Sequence, residues 1–154
     1  MSADERLIGL IGTERRASTP AANYNNATRW GDLIFLSGKS VSGPVNGKSP
    51  KGKLGTEFSV EDGRAFAREA ALELLTVLRD EVGSLDKVKQ VIEVQGFVNA
   101  HPDFEDHAKV LDGASDVLVE VLGDAGVHSR SVFGAVSLRG SHPVILRAIV
   151  GVSA

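Results

Sequence analysis

Two stretches of the chain carry apolar residues at the three- and four-residue steps of a helix. The first begins at Ser59, a residue that caps helices well, and ends at Gly83. Acidic Glu61 and Asp62 lie in its first turn, where the helix dipole favours negative charge. The apolar stripe predicts one amphipathic helix, and its members are Ala67, Ala70, Ala71, Leu74 and Leu78.

The second helical stretch follows His101-Pro102-Asp103. The proline breaks the segment before it, and Asp103 can cap the helix that follows. Gly123 and Gly126 mark the end of this helix. Its apolar residues are expected to face the core, and they are Phe104, Ala108, Leu111, Leu118 and Leu122.

The other apolar segments lack helical spacing, and valine and isoleucine are frequent in them, which predicts strands. Gly31-Asp32 supplies the turn of a hairpin in the first segment. Arg139-Gly140-Ser141-His142 supplies the turn between the last two. The predicted strands lie within Ala27–Ser40, Lys87–Val98, Ser131–Leu138 and Pro143–Val152.

The predicted order of elements is ββαβαββ within a single domain, residues 1–154. This order is typical of a mixed sheet with two helices on one face, an α+β two-layer sandwich. Residues 1–26 are expected to form an N-terminal arm. Residues 41–55, dense in glycine, proline, serine and lysine, are expected to form an exposed, mobile loop. The uncovered face of the sheet favours oligomerisation.

Composition narrows the classes of function. The net charge of -3 offers no general attraction for nucleic acid, so binding to nucleic acid is not expected. The chain has no cysteine, which excludes thiolate nucleophiles and thiolate metal sites. Charges interrupt every apolar run, and no secretory signal follows Met1. These features predict a cytoplasmic protein without a membrane segment.

Three motif-like features fail the test of context. The segment Gly43–Ser49 ends like a phosphate-binding loop, but Ser42 stands where the first glycine belongs and Pro50 follows where a helix should begin. The four histidines lack the spacing of metal ligands on a helix. Ser37 lies outside any Gly-x-Ser-x-Gly turn, which argues against a serine hydrolase. We therefore expect no metal and no cofactor.

Two arginines and one tyrosine remain as candidates. Arg130 stands at the mouth of an apolar strand, where a guanidinium either binds an anion or forms a structural ion pair. Arg147 interrupts an apolar strand, so it either lies on the open face of the sheet or pairs with an acid across an interface. Tyr24, the single tyrosine, is by default a packing residue with a polar tip.

Segments along most of the chain together resemble the RidA/YjgF family. The most specific piece is the spacing of Tyr24 to Ser37-Gly38, followed much later by Arg130-Ser131 at the start of the penultimate strand. The resemblance implies a chorismate-mutase-like fold and a homotrimer with sites in the clefts between subunits. Other matching pieces are Gly31–Gly38, Val94–Phe104 and His128–Leu138.

The resemblance also implies roles for these residues. Arg130 would grip the carboxylate of the substrate as the catalytic residue, Ser37 and Gly38 would line the pocket, and Tyr24 would reach into it. The implied reaction is hydrolysis of enamines and imines of amino acids to 2-keto acids and ammonia, as in a 2-iminobutanoate/2-iminopropanoate deaminase. It requires neither a metal nor an organic cofactor.

Departures from the family pattern keep three functions open. Relatives often carry a glutamate in the last strand, where this chain has Ile145 and Arg147, and a cysteine where it has Val132. The chain is then either a deaminase or a non-catalytic trimer that binds small carboxylates. The ribonuclease or translation-inhibitor activity of some relatives would need a basic track or stacking aromatics, and aromatic residues make up only 5% of the chain.

Overall fold

Two long helices lie side by side across one face of a five-stranded sheet in the computed structural model, which describes residues 1–154. The helices are α1 (Ala3–Ile11), α2 (Val60–Val82) and α3 (His107–Leu122). The strands are β1 (Ala27–Trp30), β2 (Leu33–Lys39), β3 (Val88–Asn99), β4 (Ser129–Ala135) and β5 (Val144–Val152). The predicted ββαβαββ order is confirmed, with α1 added before it.

The sheet is mixed. Its strand order is β1-β2-β5-β3-β4, so β1 and β4 form its edges. Strands β3 and β4 pair in parallel, and all other pairs are antiparallel. A parallel pair needs a long crossover between its strands, and α3 provides it. The α+β two-layer sandwich predicted from the sequence is confirmed.

The predicted limits of α2 are confirmed. The Ser59 hydroxyl accepts a hydrogen bond from the Asp62 amide, and the Asp62 carboxylate accepts one from the Ser59 amide, which completes a capping box. Gly83 ends the helix in the left-handed conformation, with φ of 86°. Every member of the predicted apolar stripe is buried.

Helices α2 and α3 approach each other very closely at Gly113. A Cβ atom added to Gly113 would lie 2.1 Å from the carbonyl oxygen of Arg64, so only glycine fits there. Gly96 on β3 leaves similar room for the side chain of Leu111 on α3. These two glycines let α3 lie flat against both α2 and the sheet.

The start of α3 differs from the prediction. Asp103 does not cap the helix, which begins one turn later at His107. The Phe104 amide instead donates to the carbonyl oxygen of His101, and the Asp103 amide donates to Nδ1 of the His101 ring. This turn satisfies the backbone locally, and Asp106 at the cap position forms no side-chain cap bond.

The N-terminal arm contains a helix that the sequence analysis missed. Ser2 and Glu5 form a capping box at the start of α1, and Leu7 is fully buried. The Asp4 carboxylate accepts hydrogen bonds from the Ser84 hydroxyl and the Leu85 amide at 2.5 and 2.9 Å. The first part of the arm is therefore docked on the body of the protein.

The loop of residues 41–55 is less exposed than predicted. Leu54 is fully buried, and Val41 and Pro50 are also buried. The Leu54 amide donates to the Asn99 carbonyl, and its own carbonyl accepts from the His101 amide. Leu54 thus continues the sheet as an isolated bridge, which anchors the end of the loop.

Side chains alternate between the two faces along most of the sheet, and the register shifts at a bulge in β2 and at two places near the start of β3. Leu36 pairs with Ala148 and Lys39 pairs with Leu146, so both Ser37 and Gly38 stand opposite Arg147. The extra residue shifts the alternation, and Lys39 points to the helix side. There Lys39 is only 8% exposed.

The face of the sheet that carries no helix is mixed: aromatic and aliphatic side chains lie on it together with Glu93, Gln95, Ser131 and Arg147. Phe97 and Phe133 stack on it with ring centroids 5.6 Å apart. Arg147 is exposed on this open face, which is the first of the two alternatives predicted for it. It forms no ion pair or hydrogen bond within the chain. Other apolar residues on this open face include Leu33, Phe35, Ile145 and Ile149.

Helix length bears on membrane insertion. The longest helix, α2, has 23 residues, and acidic and basic side chains occur along it. No helix is long and apolar enough to span a bilayer. The cytoplasmic location stays a prediction.

Candidate functional site

Arg130 lies on the edge strand β4, with its guanidinium turned toward α3. Nη1 donates to Oδ1 of Asp112 at 2.9 Å and to Oγ of Ser115 at 3.1 Å, and Nη2 donates to the Ala108 carbonyl at 3.4 Å. The Ser115 hydroxyl also bonds to Nε2 of His128 at 2.9 Å. These contacts fix the orientation of the Arg130 guanidinium.

A guanidinium has five N–H groups, and the chain uses three of those in Arg130. The Nε–H and one Nη2–H therefore stay available to a ligand. The carboxylate of Asp112 offsets the positive charge, since the pair is a direct ion pair. Arg130 thus offers oriented donors but little net charge.

Tyr24 and Gly38 meet at a cavity of about 320 Å³ beside β2, three strand positions from β4. Lys39, Arg139 and His142 also line it, and we call it the Tyr24 cavity. The N-terminal arm, the end of β2 and the turn before β5 form its walls. Its remaining lining residues are Ser18, Thr19, Ala21, Ser40, Val41 and Ser42.

Ser37 supports this cavity rather than lining it. Its hydroxyl donates to the Asn25 carbonyl at 2.6 Å, and its amide donates to the Asn26 carbonyl at 2.9 Å. These bonds tie the segment after Tyr24 to the bulge in β2. Ser37 therefore positions the residues on both sides of the cavity.

Lys39 is a buried cation without a carboxylate in contact. Its Nζ donates to Oδ1 of Asn26 at 2.6 Å and to Oγ of Ser18 at 3.1 Å, both neutral oxygens. Glu73 accepts a hydrogen bond from the same Ser18 hydroxyl at 3.0 Å and also pairs with Arg15. The charge of Lys39 is compensated only through an intervening hydroxyl.

Arg139 adds a positive charge to the cavity, and His142 adds a polar ring. The exposed Arg139 side chain forms no ion pair or hydrogen bond within the chain. Partial burial of the His142 ring, and then the positive charges of Arg139 and Lys51, lower the pKa of His142 below its usual value. The imidazole is thus neutral at pH 7.

The neutral His142 ring has one buried nitrogen, Nδ1, with no hydrogen-bond partner. We assign the proton to Nε2, because an orphaned N–H donor costs more than an orphaned acceptor lone pair in a buried place. Gly140 allows the ring to lie here, since a Cβ on that residue would be 3.3 Å from Nε2. His142 then presents an N–H donor.

Ile145 lies beside Gly38, with its Cγ2 atom 3.1 Å from the position that a Gly38 Cβ would take. This is one of the two places in the last strand where relatives were expected to carry a glutamate. The structure therefore puts a methyl group, not a carboxylate, next to Gly38.

The predicted site residues form two groups within one chain. Tyr24, Ser37 and Gly38 lie together, while Arg130 lies on the far edge of the sheet, with β5 and β3 between. Three strand spacings of about 4.8 Å separate the two groups by roughly 14 Å. One chain alone therefore cannot bring Arg130 to the Tyr24 cavity.

The sequence analysis missed Lys39, Arg139 and His142. A usable signal was Lys39 itself, a charged residue just after Ser37-Gly38 in a strand otherwise apolar on its helix side. Arg139 and His142 were recognised only as part of a turn. Their convergence with Tyr24 depends on the fold, because about 115 residues of chain separate them.

A second cavity, of about 390 Å³, lies at the start of α3. It contains His101 and His107, with Phe104 packed edge-on against the His107 ring at 5.1 Å. Lys53 reaches across it and donates to Oδ1 of Asn99 at 2.6 Å and to the Val136 carbonyl. Lys53 thus forms hydrogen bonds within the chain, whereas the Arg139 side chain in the Tyr24 cavity forms none.

Comparisons with known proteins bear on the meaning of these sites. The profile of the family described as "YjgF/chorismate mutase-like, putative endoribonuclease" matches residues 8–145. Protein TCP17 of Trypanosoma cruzi is 34% identical over 135 residues, which cover 87% of this chain and 84% of that protein.

Solved structures share the fold over nearly the whole chain. A protein of Shewanella oneidensis with the same endoribonuclease description superposes with a TM-score of 0.89 and 27% identity, and the match covers 99% of this chain and 100% of that one. The protein Atu1372 of Agrobacterium tumefaciens, of unknown function, superposes with a TM-score of 0.84 and 30% identity. The match covers 99% of this chain and 92% of that one. TdcF of E. coli with bound serine has a TM-score of 0.61 and 22% identity, over 90% of this chain and 94% of that one. This likeness shows a shared fold alone.

Proposed function

The chain belongs to the YjgF/chorismate-mutase-like family, and from that premise we propose that it hydrolyses small 2-imino acids to 2-keto acids and ammonia. The observation that carries the proposal is the state of Arg130. Its guanidinium is held by three contacts and keeps two N–H groups for a ligand. Such a preset donor pair suits the carboxylate of an amino-acid derivative.

The reaction needs little from the protein beyond positioning and polarisation. Water adds to the carbon of the protonated imine, and the resulting carbinolamine loses its nitrogen as ammonia while the carbonyl forms. In sum, C=NH₂⁺ and H₂O give C=O and NH₄⁺, and an enamine first tautomerises to the imine. Holding the substrate carboxylate fixes the orientation of the reacting carbon, which lowers the entropic part of the barrier.

We propose that the active form is a homotrimer with sites between subunits. The open face supports this, because Phe35, Phe97 and Phe133 lie on it beside further apolar side chains without a covering layer. The position of Arg130 on the edge strand β4 also supports it. A neighbouring copy could place its Tyr24 cavity against that edge, which would join the two groups of site residues.

Ile145 favours a second candidate, a trimer that binds small carboxylates without turning them over. General acid-base assistance contributes on the order of 10² to 10⁴ to a rate, and no carboxylate stands beside Gly38 to provide it. Binding would then be retained through the cationic groups while hydrolysis stays slow. The two candidates differ only in turnover.

The endoribonuclease description of the family has less support in this chain. The net charge is -3, and the open face carries one basic side chain, Arg147, together with the acidic Glu93, rather than a basic track. A tight, salt-sensitive affinity for RNA would revive that activity. We do not propose it.

The first experiment follows the decay of 2-iminopropanoate, generated by an amino-acid oxidase and trapped with semicarbazide. Wild type is expected to accelerate the decay, and Arg130→Ala to lose about tenfold or more of that acceleration, as expected for the loss of a charge-assisted contact. Arg68→Gln, which removes an exposed arginine on α2, serves as the control. The oligomeric state of each variant is measured by light scattering.

A third variant, Ile145→Glu, separates the two candidates. If the wild-type protein is slow because it lacks a carboxylate beside Gly38, this substitution should raise the rate by tenfold or more. A wild type that binds pyruvate but leaves the imine decay unchanged is a binding protein. A wild type that neither binds pyruvate nor affects the decay contradicts both candidates.

A further inference from the structure

Hydrolysis of an imine needs a group that moves protons. Water releases a proton when it adds to the carbon, and the nitrogen needs one before it leaves. Enzymes assign such transfers to a side chain within hydrogen-bond reach of the reacting atoms, directly or through one water. No carboxylate stands beside Gly38 for this purpose, because Ile145 fills that place. The group therefore has to come from the surroundings of Arg130.

Two titratable side chains near Arg130 are already committed to contacts within the chain. Asp112 forms the ion pair with the Arg130 guanidinium. His128 uses both ring nitrogens, Nδ1 with the Gly126 carbonyl at 2.6 Å and Nε2 with the Ser115 hydroxyl at 2.9 Å. Neither side chain can exchange a proton with a substrate without breaking these contacts.

His107 differs from these groups, because its ring has no partner within the chain. It is the first residue of α3, and neither ring nitrogen forms a hydrogen bond or an ion pair. Both nitrogens are open to solvent, since Nδ1 of His142 is the only side-chain atom that is buried without a partner. The ring lines the second cavity, of about 390 Å³, which we call the His107 cavity.

Packing holds the His107 ring in place. Phe104 lies edge-on to it, with ring centroids 5.1 Å apart. The ring also rests on β4 at Gly134, where an added Cβ atom would lie 2.7 Å from Nε2. Glycine therefore leaves the space that the imidazole fills. A catalytic side chain needs such an orientation fixed by its neighbours.

Arg130 and the His107 ring lie along the same gap between β4 and α3. Arg130, Val132 and Gly134 occupy one face of β4, because every second residue of a strand does so. Val132 is partly buried between the other two. On α3, the Ala108 carbonyl that accepts from Arg130 Nη2 at 3.4 Å belongs to the residue after His107. The imidazole and the guanidinium thus meet the same strip of surface.

We infer that His107 is the catalytic acid-base residue for a substrate whose carboxylate is held by Arg130. The inference rests on the proposed function for the reaction itself, and it names the group that moves the protons. In this arrangement the substrate lies over Val132, and the attacking water lies between the imine carbon and a ring nitrogen of His107.

The protons balance with one imidazole. As the C–O bond forms, the His107 ring takes one proton from the attacking water, and the protonated imine becomes a neutral carbinolamine. The imidazolium then returns this proton to the amino nitrogen. The C–N bond breaks with its electron pair on nitrogen, and the hydroxyl proton passes to water as the C=O bond forms. Ammonia takes up that released proton as NH₄⁺.

The test compares His107→Gln with wild type in the decay of 2-iminopropanoate, generated by an amino-acid oxidase. Glutamine keeps a polar side chain but does not exchange protons near neutral pH. We expect kcat to fall by about a hundredfold, a usual contribution of acid-base assistance. Pyruvate binding, measured by calorimetry, is expected to stay as in wild type, because Arg130 is intact.

Lys109→Gln is the matched control. Lys109 is exposed in the same turn of α3 and pairs with Asp106 at 3.4 Å. This variant is expected to keep both the wild-type kcat and the wild-type affinity for pyruvate. Circular dichroism checks the fold of each variant.

His107→Ala gives an independent readout. The smaller side chain leaves room in the His107 cavity, so added imidazole is expected to restore part of the lost rate. The restored rate should grow with the basicity of the added imidazole. A ring that only fills space against Phe104 and Gly134 would not produce this dependence.

Each outcome decides for or against His107. Loss of kcat with intact pyruvate binding and rescue by imidazoles supports the inference. A wild-type kcat in His107→Gln overturns it, while the proposed hydrolysis survives. Joint loss of turnover and pyruvate binding without rescue also overturns it, since the ring is then structural. A wild-type protein that leaves imine decay unchanged overturns both the hydrolysis and the role of His107.

Discussion

The two faces of the sheet come from the same strands and the same alternation of side chains, yet they differ in kind. On the helix side, Ile34, Val94 and Leu146 are fully buried beneath α2 and α3. On the open side, Phe35 and Phe133 remain 37% and 48% exposed, and Arg147 lies beside them. Apolar composition alone thus does not make a core.

The two faces of the sheet therefore contribute differently to folding stability and to association between copies. The helix side is completed within one chain and has two glycines that let its layers approach closely. The open side is apolar enough to associate but carries an unpaired arginine. We interpret the helix side as the source of folding stability and the open side as the surface that joins copies.

The largest expected effect comes from Phe35→Glu. If the open face is buried between copies, a carboxylate there loses its hydration without gaining a partner, which costs about 3–5 kcal/mol in association free energy. Light scattering should show monomers, while circular dichroism shows an intact fold.

Val119→Glu is the matched control, because Val119 is 40% exposed on α3 and outside the sheet. It should assemble as wild type does. Loss of assembly in both variants, or in neither, would contradict the interpretation that copies associate through the open face.

A smaller effect is expected on the helix side from Gly113→Ala. The added methyl group would collide with the backbone of Arg64 at 2.1 Å, where no side chain can move away. We expect a loss of about 2 kcal/mol in the free energy of unfolding, measured in urea. Gly9→Ala on α1 is the control, since a Cβ there meets nothing within 4 Å and should add up to about 1 kcal/mol.

The smallest effect is expected at the N-terminus of α2, in the helix layer. The backbone and side-chain bonds of Ser59, with a bond from Lys48, lower the pKa of Asp62 below its ordinary 3.8. A depressed pKa means that this carboxylate stabilises the fold above pH 3.8, and that the contribution fades as the pH falls through the folded-state pKa.

Asp62→Asn should therefore lower the free energy of unfolding by about 1 kcal/mol at pH 7, and by less at pH 3. Urea denaturation at the two pH values measures the difference. A gap between wild type and variant that stays constant across this range would show that the charge of Asp62 is immaterial to the cap.

Much of the fold follows from local signals that the sequence carries. The Ser59 cap, the Gly83 stop and the Gly31-Asp32 turn each act over a few residues, so pattern and chemistry predict them correctly. The N-terminal helix was missed although Ser2 and Glu5 carried the signal. Only four apolar residues stand among the charges there, and so short a pattern has too little periodicity to predict a helix. The segment was therefore interpreted as an arm.

The candidate site was less predictable, because its residues meet only through tertiary structure. Tyr24 and Gly38 were identified through family resemblance, and they do share a cavity. Asp112 could not be named as the partner of Arg130, since α3 had to be placed over β4 first. The same holds for Arg139, which meets Tyr24 only after β5 has paired with β2.

The bulge at Ser37-Gly38 has a consequence for insertions and deletions. Losing one residue from a strand normally turns every later side chain to the wrong face. Here a deletion of either residue would leave one residue opposite Arg147, with Leu36 and Lys39 still opposite Ala148 and Leu146. Strand β2 can therefore shorten by one residue and keep its lysine inside, so this is where evolution can change the length of the chain without losing the charge of the cavity.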